Sequence, residues 1–181
     1  MKNLNEINFQ NIKKVGIRVD FNVPTNDSFQ ITDNTRLLRA KDTIDFILKN
    51  ECKILLLSHF GRPREEFDEK FSFTNLIDQF SDILGYEIHL LPYEEFLQNG
   101  LKKFYQSTNK ITLLDNIRFF EGEKKNDEMF SQSITNELDL FINEAFSASH
   151  RSHASVNQMA KNILSAPGLN FSKEVTAIND I

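Results

Sequence analysis

Tryptophan is absent from this sequence, and its one cysteine, Cys52, has no partner. A lone thiol excludes an internal disulfide framework and any multi-cysteine metal cluster. Positive charge is also in deficit: 21 Lys and Arg stand against 26 Asp and Glu, a formal net charge of -5. That balance argues against nucleic acid or an anionic membrane as partner, although a local basic site remains compatible with it. No apolar run approaches the ~18 residues of a spanning helix, and the N-terminus lacks the apolar core of a signal peptide. A cytosolic location is therefore expected. Glycine is scarce too. The six glycines are Gly16, Gly61, Gly85, Gly100, Gly122 and Gly168. None form a G-x-G or a GxxxxGK[ST] segment, so no glycine loop is expected to cradle a nucleotide's phosphates.

What is present is globular. Hydrophobic residues make up 40% and charged residues 26% of 181 positions, enough for the core of one domain or, at a stretch, two very small ones. Seventeen phenylalanines supply the bulky apolar filler. Short apolar runs at 15–19, 53–57, 88–91, 111–114 and 138–142 predict strands. Continuous runs such as Ile54-Leu55-Leu56-Leu57 suit strands buried on both faces of a parallel sheet. Between them, Leu37, Ala40, Ile44, Ile47 and Leu48 mark one helix face. Leu76, Ile77, Phe80 and Leu84, closed by Gly85, mark a second. A third is predicted from Phe96, Leu97, Leu101 and Phe104, and a fourth from Met129, Phe130, Ile134 and Leu138. The alternation predicts an α/β fold, a doubly wound and mainly parallel sheet flanked by helices. Near the end, Ser172 is expected to N-cap a helix with Val175 and Ile178 on one side, a face that either docks back on the domain or lacks its partner surface.

In such a sheet ligands bind at the carboxyl ends of the strands. The segments there are Asp20-Phe21-Asn22-Val23-Pro24, Ser58-His59-Phe60-Gly61-Arg62-Pro63, Asp115-Asn116-Ile117-Arg118-Phe119, and a polar stretch from Asn143 to His153. Arg36 enters the first helix at the same edge. Four of seven arginines (Arg36, Arg62, Arg118 and Arg151) and three of four histidines fall there, while no lysine is embedded in these loops. Guanidinium pairs bidentately with phosphate or carboxylate, whereas ammonium acts as a point charge. The expected ligand is a small anion of roughly two to four charges. His150-x-x-His153 lacks the HExxH pattern, and no metal is expected. Singly, each of these residues has a plain structural role: Asp20 and Asn22 in a turn, Gly61 as turn punctuation, Arg118 in a surface ion pair. Arg18, inside the first strand, is assigned to a structural ion pair.

These segments resemble the phosphoglycerate kinase family in order and near-family spacing from about Val15 to Gly168. Arg18-Val19-Asp20-Phe21-Asn22-Val23-Pro24 is similar to that family's N-terminal signature, and Ile31-Thr32-Asp33-Asn34-Thr35-Arg36 to the segment carrying its active-site arginine. Ser58-His59-Phe60-Gly61-Arg62-Pro63 resembles its SHLGRP loop, and Leu114-Asp115-Asn116-Ile117-Arg118-Phe119 its LENLRF segment. Residues 141–151 are similar to its VNDAFGTAHR segment. The resemblance implies that Asp20, Phe21, Asn22, Arg36, His59, Phe60, Gly61, Arg62, Arg118 and Arg151 bind 3-phosphoglycerate or 1,3-bisphosphoglycerate. His59, Arg62, Arg118 and Arg151 would hold the phosphate, Asp20 and Asn22 the hydroxyl end, and Arg36 the carboxylate, with Arg36 as the catalytic candidate. Some departures stand out: Glu144 for the family's Asp, Ser147 for its Gly, Ser149 for a small apolar residue and Asp115 for its Glu. A positive φ at Ser147 would disturb the backbone that positions Arg151.

The family's nucleotide sites lie in a second domain. The resemblance thus implies a phosphoglycerate-binding α/β domain over 1–170 and the start of an inter-domain helix over 171–181, with the nucleotide-binding C-terminal domain absent. MgATP or ADP would then be a co-substrate held by that other domain, in cis or in trans, and none would be bound by this chain. A stand-alone, non-catalytic phosphoacid-binding or regulatory module is the alternative.

Overall fold

A computed structural model describes residues 3–64 and 66–179. Among them, six strands form one sheet in the order β3-β4-β2-β1-β5-β6, and every pairing is parallel. The strands are β1 (Lys14–Arg18), β2 (Lys53–Leu57), β3 (Ile88–Leu91), β4 (Ile111–Leu114), β5 (Leu140–Asn143) and β6 (Ser165–Pro167). The chain builds from β1 towards β3 and returns to lay β5 on the other side of β1. The topological switch point therefore lies between β1 and β5.

Period-two alternation divides the apolar runs between two cores. Ile54 and Leu56 of β2, Leu113 of β4 and Ile142 of β5 pack under α1 (Thr35–Lys49) and α2 (Ile77–Leu84). Leu55, Leu57, Leu114 and Phe141 face the opposite layer. That layer holds α3 (Tyr93–Asn99), α4 (Lys102–Gln106), α5 (Glu121–Lys124), α6 (Glu128–Thr135) and α7 (Met159–Asn162). This is the doubly wound α/β fold the pattern predicts.

Three local expectations change. The third predicted helix is two, α3 and α4, because Gly100 at φ 56° ends α3 and turns the chain; Leu97 is consequently exposed. Leu138 is not in a strand: β5 starts at Leu140, after Asp139 accepts hydrogen bonds from the amides of Lys13 and Lys14 at 2.9 and 2.8 Å. β6 gave no apolar run, since Ser165 and Pro167 flank its one buried residue, Ala166. The αL cap at Gly85, with φ 74°, is as expected.

The last described helix, α8 (Leu169–Asn179), starts three residues before the expected Ser172 cap. Ser172 instead donates back to the Gly168 carbonyl at 2.9 Å. The helix is capped from elsewhere in the fold. Thr43 Oγ1, on α1, accepts from Leu169 N at 2.9 Å. Glu144, just past β5, accepts from Asn170 N at 3.0 Å and from Phe171 N, and takes the Thr43 hydroxyl on its other oxygen at 3.0 Å. Three first-turn N–H groups are thus satisfied by two distant side chains. Only the start of the helix is covered: Phe171 meets Phe146 edge-on at 5.3 Å and Leu169 packs on the core, while Val175 is half-buried and Ile178 stays exposed. Lys173 pairs with Asp42 at 3.0 Å, tying α8 to α1.

Burial pushes the Glu144 carboxyl up to about 7, against the three hydrogen bonds that favour its charge and with Glu174 adding to the rise. The folded chain thus holds this proton more tightly than the unfolded one, where glutamate titrates near 4.5. The stability it contributes is complete below about pH 4.5 and lost as pH rises through about 7. Urea denaturation from pH 5 to 8 should show wild type losing up to about 3 kcal/mol relative to Glu144→Gln. Parallel curves would mean that Glu144 stays ionised throughout.

Candidate anion-binding site at the strand ends

The switch point joins the end of β1 to the loop after β5. Asp20 Oδ2 accepts from Arg36 Nη1 and from Ser147 Oγ, each at 2.6 Å. Burial alone would raise the Asp20 carboxyl, but the Ser147 bond and the Arg36 charge outweigh it, and its pKa lies below the usual range. Ser147 is therefore part of the site rather than a disturbance of it. Its φ is not positive, so the expected backbone conflict does not arise. Arg39, Glu144, Phe146 and Asn170 continue the wall of a small cleft of about 90 Å³ beside this pair.

The loop after β2 is held by three others. Asn22 Oδ1 accepts from Gly61 N at 2.8 Å, and Gly61 O accepts from Arg118 Nη1 at 2.6 Å. Asn116 straps the same loop: its Oδ1 accepts from Phe60 N at 3.2 Å and its Nδ2 donates to Phe60 O at 2.6 Å. Asp115, buried and raised in pKa by that burial, holds Ser72 Oγ and Phe73 N at 2.9 Å. Phe21 and Phe60 turn inward. Phe21 packs on Phe80 at 5.2 Å and Phe60 lies beside Phe71 and Phe73, so their side chains belong to the core.

The cationic groups converge. Arg118 is 8% exposed, and its pKa falls to about 10 because of burial and then of repulsion from Arg151, Arg18 and Arg62. His59 is pushed down to about 2 by burial and by Arg18, Arg118 and Arg151, with Asp20 opposing. Arg62 and Arg151 have no ion-pair partner among the described residues. Such mutual repulsion in a half-dry cleft is relieved by an anion. His150 is exposed, and His153 lies 3.7 Å from Glu123. No group of three His, Cys, Asp or Glu side chains among the described residues could hold a metal ion.

Arg18 is not in the ion pair expected of it. It is 2% exposed, and no carboxylate among the described residues lies within 4.0 Å. Its Nε donates to Ser155 Oγ at 2.8 Å, and Ser155 in turn donates to the buried Glu123 through Oγ at 2.6 Å and N at 2.9 Å. Arg18 also donates to the Val19 carbonyl and, from Nη2, to His59 Nδ1 at 3.0 Å. Ser147, Asn116, Ser155 and Glu123 gave no local signal as site-building residues. Their partners lie far away in the chain, and only a departure from the family pattern drew attention to Ser147.

Fold and site together define a doubly wound α/β domain with a cationic cleft at its topological switch point. The family model for phosphoglycerate kinase matches residues 4–181, and the chain belongs to that family. The phosphoglycerate kinase of Prochlorococcus marinus (strain MIT 9515) is 41% identical over 152 residues, covering 82% of this chain and 37% of the relative. That of Coprothermobacter proteolyticus is 37% identical over 172 residues, covering 92% and 42%. Phosphoglycerate kinase from Coxiella burnetii superposes with a TM-score of 0.85 at 28% identity, covering 98% of this chain and 44% of that one. The chain spans about two fifths of the length of the curated relatives it matches. No described helix is long and apolar enough to cross a membrane.

Proposed function

We propose that this chain binds the three-carbon phosphoacid in the phosphoglycerate kinase reaction, the reversible phosphoryl transfer between 1,3-bisphosphoglycerate and ADP that gives 3-phosphoglycerate and ATP. The observation that carries the reading is the convergence of Arg118, Arg151, Arg62 and neutral His59 beside the Asp20–Arg36 pair. In this reading the phosphate sits among His59, Arg62, Arg118 and Arg151. Asp20 accepts from the substrate hydroxyl. Asn22, whose Oδ1 is taken by Gly61, donates to it through its amide nitrogen. Arg36, 45% exposed in its side chain, stands by the carboxylate and stabilises charge on the group in flight. Catalysis of this kind is positioning and charge neutralisation with little covalent chemistry. Asp20 holds Arg36 in place until the substrate arrives. In this reading the nucleotide with its Mg²⁺ is held by a second domain, in cis or in trans.

Calorimetric titration with 3-phosphoglycerate and, separately, with MgATP tests this. Binding of the first and not the second is expected; tight MgATP binding with no phosphoglycerate signal would sink the reading. Arg151→Ala should weaken phosphoglycerate binding by about 1.5–3 kcal/mol, the range for hydrogen bonds to charged groups. A coupled assay with a relative's C-terminal domain added in trans should restore turnover.

A further inference from the structure

Among the described residues, His59 is the one buried titratable group in the cleft whose hydrogen-bonding partner can be only a donor. Guanidinium carries five N–H groups and no acceptor, and it stays protonated in proteins. Contact between Arg18 Nη2 and His59 Nδ1 at 3.0 Å therefore requires a lone pair on Nδ1. The ring proton must then reside on Nε2, which has no hydrogen-bonding partner among the described residues. Arg18 cannot swing away easily. Its Nε is held by Ser155, which is locked by two hydrogen bonds to Glu123, and its Nη1 is held by the Val19 carbonyl. Ser155 and Glu123 are both fully buried, so this support is rigid and dry.

We propose that Arg18 is a positioning residue that holds His59 as the neutral Nε2–H tautomer, with Ser155 and Glu123 as its anchor. His59 then offers the anion a directed hydrogen bond without adding a further positive charge to a crowded cluster. The charged groups around it agree. Arg18 from β1, Arg118 from the turn after β4 and Arg151 from the loop after β5 all disfavour an imidazolium, and only Asp20 favours one. Charge on the ligand is met by the arginines, and geometry by the histidine. The functional meaning of that donor rests on the phosphoacid reading above, but the tautomer is a property of the free chain.

Long-range ¹H–¹⁵N spectra of the imidazoles in the free 181-residue chain test it directly. From pH 5 to 8, His59 should show an unprotonated Nδ1 and a protonated Nε2 throughout. An Nδ1–H tautomer, or protonation with a midpoint near the ordinary value of about 6.5, would overturn the proposal. Arg18→Met should let both tautomers appear and move the titration upward, with burial, Arg118 and Arg151 still holding it below that window. An unchanged tautomer in a folded R18M chain would also overturn it. If R18M does not fold, the wild-type spectra decide alone. The same variant should weaken 3-phosphoglycerate binding about tenfold or more. Failure of wild type to bind 3-phosphoglycerate while His59 remains locked would remove the functional reading and leave the tautomer assignment standing.

Discussion

Gly168→Ala should destabilise the chain by about 3 kcal/mol, a large loss for one methyl group. The residue has no unusual φ requirement; the constraint is space. A Cβ at 168 would overlap Glu144 Oε2 outright and come within 2.5 Å of its Cδ. Nothing here can yield cheaply. The Glu144 carboxylate is fixed by Thr43 and by the first amides of α8, and it is only 7% exposed. Relief means displacing either the carboxylate or the helix, and each path breaks the tertiary cap. Urea denaturation gives the magnitude, and hydrogen exchange at Leu169, Asn170 and Phe171 should show protection lost there first. A double-mutant cycle with Glu144→Ala sharpens the test, because removing the carboxylate removes the clash. If Gly168→Ala costs the same in both backgrounds, the overlap is not its cause.

Gly61→Ala should cost stability by about 2–3 kcal/mol and weaken 3-phosphoglycerate binding at least tenfold, for two separable reasons. The residue sits at φ 59°, where an L side chain is strained, and a Cβ would overlap Cδ1 and Cε1 of the Phe71 ring. Its backbone also joins two parts of the site: the amide reaches Asn22 and the carbonyl holds Arg118. A shift at 61 therefore moves both the hydroxyl end and the phosphate end of the proposed ligand cleft. Gly61→Ala combined with Phe71→Ala should recover part of the stability, since the ring no longer blocks the methyl group. The affinity should recover less, because the strained φ remains. Full recovery of binding in the double variant would assign the whole effect to the ring.

Both positions show how differently the site and its support are written. Gly61 stands inside a motif, Ser58-His59-Phe60-Gly61-Arg62-Pro63, and could be singled out from the sequence. Gly168 and Glu144 are 24 positions apart, and nothing in either neighbourhood announces their contact. The same holds for Ser147. It read as a departure that threatened the backbone, yet the fold turns its hydroxyl into a donor to Asp20, 127 positions away.

By itself the sequence determined which strands are buried on both faces, which helix faces turn to them, and which side chains collect at the strand ends. Those properties follow from period and from residue type, both local. The tertiary structure alone decided that Arg18 bonds a histidine and a serine instead of a carboxylate. It also decided that α8 is capped by Thr43 and Glu144 instead of its own Ser172, and that Phe21 and Phe60 turn into the core. Each outcome depends on distances across the chain and on how completely water is removed from a polar group, quantities that exist only once the sheet has closed its layers.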